Sequence, residues 1–94
     1  MKLKVKWFHV MKRQVYFMYD MVRTLQFEKV EEIEEFVNAA SKCDFEIDIK
    51  CNRMFIDAKS ILGVLGIGLG HDFLVCYGGD NADFENVVDK LAVA

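Results

Sequence analysis

The sequence predicts a small α/β domain of the α+β kind, an open-faced sandwich in which helices pack on one side of a mostly antiparallel sheet. Three observations predict it. Segments 28–42 and 83–91 repeat apolar side chains at helical spacing. Segment 45–56 between them alternates apolar and polar residues on either side of a short turn. The chain has 94 residues, 53% of them hydrophobic and eight of them Phe, which is enough for one core without disulfide or metal staples.

Each element has its own signal. Residues 1–10 alternate charged and apolar (Lys2, Leu3, Lys4, Val5, Lys6, Trp7), which suits an edge strand with its lysines in water, or a basic tail. Segment 14–27 is rich in β-branched and aromatic residues and predicts a strand within Tyr16–Leu25. From Glu28 the period changes. Val30, Ile33, Phe36, Val37 and Ala40 form one stripe and Glu31, Glu32, Glu34 and Glu35 the opposite face, giving a helix that ends near Ser41–Lys42.

Phe45, Ile47, Ile49 and Cys51 then alternate with Glu46, Asp48 and Lys50 in a strand. Asn52-Arg53 turns it back into Met54–Ile56. Ser60 is placed to cap a short helix over Ile61–Leu65, which Gly66, Gly68 and Gly70 end. Phe73–Tyr77 is a further strand, Gly78-Gly79 a turn, and Asp83–Leu91 a last helix with Phe84, Val87, Val88 and Leu91 inward. No proline, linker or repeat marks an internal boundary.

Cys43, Cys51 and Cys76 are odd in number and form no CxxC pair, so they read as buried thiols of a reducing compartment and not as a metal or redox site. The basic N-terminus is interrupted by Lys2, Lys4 and Lys6 and no run reaches spanning length, which predicts a cytoplasmic protein without a membrane segment. The net charge of −3 is uneven. Residues 1–13 carry five basic side chains and no acid, leaving −8 on the rest, a sign that repels nucleic-acid phosphates.

The run Ile56-Asp57-Ala58-Lys59-Ser60-Ile61-Leu62-Gly63-Val64-Leu65-Gly66-Ile67-Gly68 resembles the regulatory-serine region of HPr, the histidine-containing phosphocarrier of the bacterial sugar phosphotransferase system. The likeness runs without a gap from about residue 22 to the end, and includes Asn38-Ala39-Ala40-Ser41-Lys42 and Gly78–Asp83. The resemblance implies an HPr-like βαββαβα fold, four strands with three helices on one face. It divides the chain into an HPr-like domain at 16–94 and, at 1–15, a basic extension or an added edge strand that could pair within the chain or in a homodimer.

In that family a histidine at the start of the first helix accepts phosphate, beside an arginine and a proline. Counting back from Ser41-Lys42, the histidine position falls on Lys29 and the other two on Glu31 and Glu32. Elementary electrostatics leads to the same conclusion. A phosphohistidine needs an imidazole nucleophile, free backbone N–H groups and preferably a cation, whereas Glu28, Glu31, Glu32, Glu34 and Glu35 crowd two turns with carboxylates. An ordinary solvated acidic face, favourable to the helix dipole, explains them without any ligand.

Ser60 is the family's functional residue that this chain keeps. The resemblance implies phosphorylation of it by an HPr kinase and docking of a catabolite-control regulator, with Ile61, Leu62 and Leu65 as the apolar surface around it. The plainer reading makes Ser60 only an N-cap and those three residues half-exposed packing. His71, after the short helix, and His9, in the basic segment, lack companions at metal-ligand spacing and read as surface histidines. Gly66-x-Gly68-x-Gly70 follows a helix and lacks a following Gly-Lys-Ser/Thr, so it is not a phosphate loop.

The expectation is therefore a non-enzymatic HPr-like protein, regulatory or adaptor, without cofactor or metal. Two alternatives stand beside it: a divergent phosphocarrier using an acceptor such as His71, and an HPr fold reused as an unrelated protein-binding module.

Overall fold

A computed structural model of the chain describes residues 21–93. In order the elements are β1 (Met21–Gln26), α1 (Val30–Ser41), β2 (Ile47–Cys51), β3 (Met54–Asp57), α2 (Ile61–Leu65), β4 (Asp72–Tyr77) and α3 (Ala82–Leu91). The sheet order is β1-β4-β2-β3 and every pairing is antiparallel. The expected βαββαβα order and open-faced architecture are both present. The expectations for residues 1–15, for the stretch 16–20 of the first strand and for His9 lie outside the described residues.

Side-chain period places the core. Leu25, Ile47, Ile49, Phe73, Val75 and Tyr77 point to one face of the sheet. There they form a single cluster with Ile33, Phe36, Val37 and Ala40 of α1, Val64 of α2, and Phe84, Val87, Val88 and Leu91 of α3. Aromatic rings bind the layers: Phe27 lies 4.8 Å from Phe73, Phe36 5.7 Å from Phe84, and Tyr77 5.1 Å from Phe84 in a T-shaped contact. Each fully buried Phe contributes on the order of 2–3 kcal/mol of transfer free energy, so these contacts fix α1 and α3 on the sheet.

The hairpin turns where expected, with Asn52 at φ 57°, a left-handed value that Asn tolerates better than most residues. Three differences from the expectation have a physical reason. The expected strand at 45–51 begins at Ile47, because Phe45 leaves the ladder to lay its ring on Gly79 and stack on Tyr77 at 6.2 Å. The last helix starts at Ala82, since Asn81 caps it by accepting from the Phe84 N–H at 2.9 Å. Val30, assigned to the apolar stripe of α1, is exposed, because the first residue of the helix projects past the edge of the core.

Candidate functional site

Two places matter for function, the entrance of α1 and the short helix α2. At the first, Lys29 is the extended residue before the helix (φ −138°, ψ 149°). Its neighbours are arranged around Glu32. The Glu32 carboxylate folds back so that Oε1 accepts from the backbone N–H of Glu28 at 2.8 Å and of Lys29 at 3.2 Å. This is the back-reaching half of a capping box, formed here without a Ser or Thr at the cap. Two backbone donors just ahead of the helix, the N–H groups of Glu28 and Lys29, are thus taken up by the chain's own carboxylate. Glu31 and Glu34 line an acidic groove with Glu35, Asp83 and Lys42, and Glu35 is held by Lys90 Nζ at 2.8 Å.

At the second place the chain turns from β3 into α2 through a local network. Asp57 Oδ1 accepts from the Lys59 N–H at 2.9 Å, and the Asp57 carbonyl accepts from the Ser60 N–H at 3.0 Å. Lys59 Nζ reaches across to donate to the Cys43 carbonyl at 2.8 Å. Ser60 is extended (φ −98°, ψ 107°), exposed, and caps α2, its Oγ accepting from the Gly63 N–H at 3.3 Å. Gly63 is required by close approach: a Cβ there would stand 2.8 Å from Ile56 Cγ2. Val64 alone of α2 is buried.

The outer side of α2 is apolar and open. Leu62 is 80% exposed, and Ile61 and Leu65 are also exposed. Leu69, absent from the surface expected on sequence grounds, is exposed as well. Lying between two glycines, it has no periodic signal to betray it; only its apolar character beside the α2 run could have flagged it. The α2 group and the entrance of α1 are linked through the following loop. Gly70, at φ +78°, donates its N–H to the Phe27 carbonyl at 2.8 Å, and Gln26 Nε2 donates to Asp72 Oδ1 at 2.9 Å. His71, exposed between Gly70 and Asp72, therefore lies on a turn tethered to residues 26–27, just ahead of Lys29.

Among the described residues no group of three or more His, Cys, Asp or Glu side chains is arranged to hold a metal ion, and no helix is long and apolar enough to cross a membrane. Cys43, Cys51 and Cys76 are free, buried thiols. Burial is the main cause that raises the Cys43 thiol, and Cys76 is pushed up to about 12, by burial first and by the Asp48 carboxylate second.

The family model described as the PTS HPr component phosphorylation site matches residues 31–94, more than half of the chain. The chain belongs to the HPr family. The match to the HPr model begins at Glu31, two residues past Lys29. Solved HPr structures share the fold. HPr-C-His from Thermoanaerobacter tengcongensis superposes with a TM-score of 0.61 at 20% identity, over 74% of this chain and 92% of that one. A phosphocarrier protein HPr from Bacillus anthracis str. Ames gives a TM-score of 0.61 at 18% identity, over 76% and 95%.

Proposed function

We propose that this HPr-family protein does not carry phosphate on histidine and serves in the cytoplasm as a regulatory or adaptor module that presents the Ser60 helix to a protein partner. The observation that carries the proposal is the α1 entrance: Lys29 stands at the position the resemblance assigns to the acceptor, and the Glu32 carboxylate takes up the backbone N–H groups of Glu28 and Lys29 there. No histidine occurs between His9 and His71. A phosphoryl group carries nearly two negative charges, so the carboxylates around α1 disfavour its arrival by like-charge repulsion as well.

Ser60 supplies the positive half of the proposal. Its hydroxyl is exposed at the start of a helix, beside Ile61, Leu62 and Leu65, an arrangement in which a phosphate and an apolar patch would be read together by one partner. The expected partners are an HPr kinase and a catabolite-control regulator. Incubation with HPr kinase and ATP tests this: one phosphate per chain is expected, and none in Ser60→Ala. A wild-type chain that takes no phosphate would remove Ser60 from the mechanism and favour an unrelated binding role for the fold.

A second reading is favoured by one contact. The Gly70–Phe27 hydrogen bond holds the His71 turn beside the start of α1, which is the placement a substitute acceptor requires. Asp72 beside it and the carboxylates of α1 disfavour a phosphate there by like-charge repulsion, and it ranks second for that reason.

A further inference from the structure

β3 is an outer strand of the sheet, paired along its whole length with β2 and, among the described residues, with no strand on its other side. Edges of this kind are usually blunted by a proline, a lysine or a bulge. β3, with the sequence Met54-Phe55-Ile56-Asp57, has none of these, and its register with β2 is unbroken from end to end. Met54 is 56% exposed, and Asp57 is exposed at the end of the strand.

The ladder decides which backbone groups face outward. Ala58 donates its N–H to the Ile47 carbonyl at 3.0 Å, so Met54, Ile56 and Ala58 are bonded toward β2, and Phe55 and Asp57 point their N–H groups away from it. The side chains carry a matching pattern. Arg53 and Asp57 stand symmetrically on either side of Phe55, both are exposed, and neither has an ion pair among the described residues. Asp57 uses Oδ1 for the Lys59 N–H and keeps Oδ2 for another donor.

We propose that β3 pairs with β3 of a second copy of this chain, antiparallel and centred on Phe55. In this register Phe55 meets its own counterpart and the two exchange backbone N–H and C=O bonds. Arg53 lies opposite Asp57 of the other copy, and the two-fold axis repeats that acid–base pair at the far end. Met54 lies opposite Ile56 in the same way. Charge selects this register over its neighbours. Centring on Ile56 sets Arg53 against Lys59, a like-charge pair, and centring on Met54 sets Asp57 against Cys51. Because each residue at the centre meets itself, the axis runs through the sheet, which continues from one copy to the other with both helix layers on one side.

Sedimentation velocity of the full chain over a concentration series tests this. A reversible dimer is expected in the wild type. R53E sets acid against Asp57 at both ends and D57R sets base against Arg53, so each is expected to weaken association at least tenfold. An equimolar mixture of the two variants is expected to associate within threefold of wild type, since every pair between them again joins acid to base. A wild-type chain that stays monomeric up to about 1 mM overturns the proposal. So does a dimer that R53E leaves unchanged, or a mixture of folded variants that associates no better than either alone. Should D57R unfold for want of its bond to the Lys59 N–H, oxidation of F55C decides. Directly opposed residues of such a bonded pair have Cα atoms about 5.5 Å apart, within disulfide range. A disulfide-linked dimer is expected at least tenfold faster than in L62C, and equal rates overturn the proposal.

Discussion

The carboxylate of Glu32 sits 3.2 Å from the backbone nitrogen of Lys29 and closes the entrance of α1 from within the chain. Stability and chemistry meet in this contact, because the Lys29 N–H that steadies the helix start is one of the donors an anion could use. Glu32→Ala is expected to lower stability by about 1 kcal/mol, the usual worth of a cap, as a fall in the urea midpoint at unchanged slope. Glu31→Ala, which removes a carboxylate that is not part of this contact, is expected to change it by less than about 0.5 kcal/mol.

Gly63 tests the close approach of α2 to β3. A methyl group there would meet Ile56 Cγ2 at 2.8 Å, so Gly63→Ala is expected to destabilise by about 1–3 kcal/mol despite the higher helix propensity of Ala. Thermal unfolding reads it. An increase in stability would show that α2 moves away from the sheet at little cost.

Leu62 separates packing from docking. With four-fifths of its surface in water, Leu62→Asp should change stability by no more than about 0.5 kcal/mol. Binding of a regulator to the Ser60-phosphorylated chain should nonetheless weaken at least tenfold, measured by calorimetry. Unchanged binding would place the partner elsewhere.

Cys76 predicts a loss of stability in alkali. Its thiol has an ordinary value of 9.0 and is pushed up to about 12 in the fold, chiefly by burial. The unfolded chain therefore releases this proton first as pH rises. The contribution is intact below pH 9 and is lost progressively as pH climbs toward 12, at up to about 1.4 kcal/mol per pH unit. Tyr77, raised by burial first and by the nearby Glu85 carboxylate, acts in the same direction from pH 10 upward. Urea unfolding of Cys76→Ala at pH 8 and pH 10.5 should show a smaller decline than wild type; identical declines would mean that the thiol titrates normally.

Much of this was legible in the residues, for physical reasons. α1, α3 and the β2–β3 hairpin announce themselves because one side of each is buried and the other wet, which imposes the 3.6 and 2 periods on the sequence. Ser60 was readable as a cap because Ser is a preferred capping type. The role of Glu32 was not readable, since a capping box is signalled by Ser or Thr three residues earlier and Lys29 stands there instead. Asp48 misleads in the other direction: strand alternation sends it to the polar face, yet it is 4% exposed. Leu69 escaped because a residue between two glycines belongs to no period.

The central question is whether this HPr-family chain accepts phosphate on histidine. The most direct measurement is incubation of the full chain with phosphoenolpyruvate and the first enzyme of the phosphotransferase system, followed by assay of acid-labile phosphate. The closed α1 entrance predicts none above the level of a reaction lacking the chain. Stoichiometric acid-labile label, abolished by His71→Ala, would contradict it and identify a working phosphocarrier.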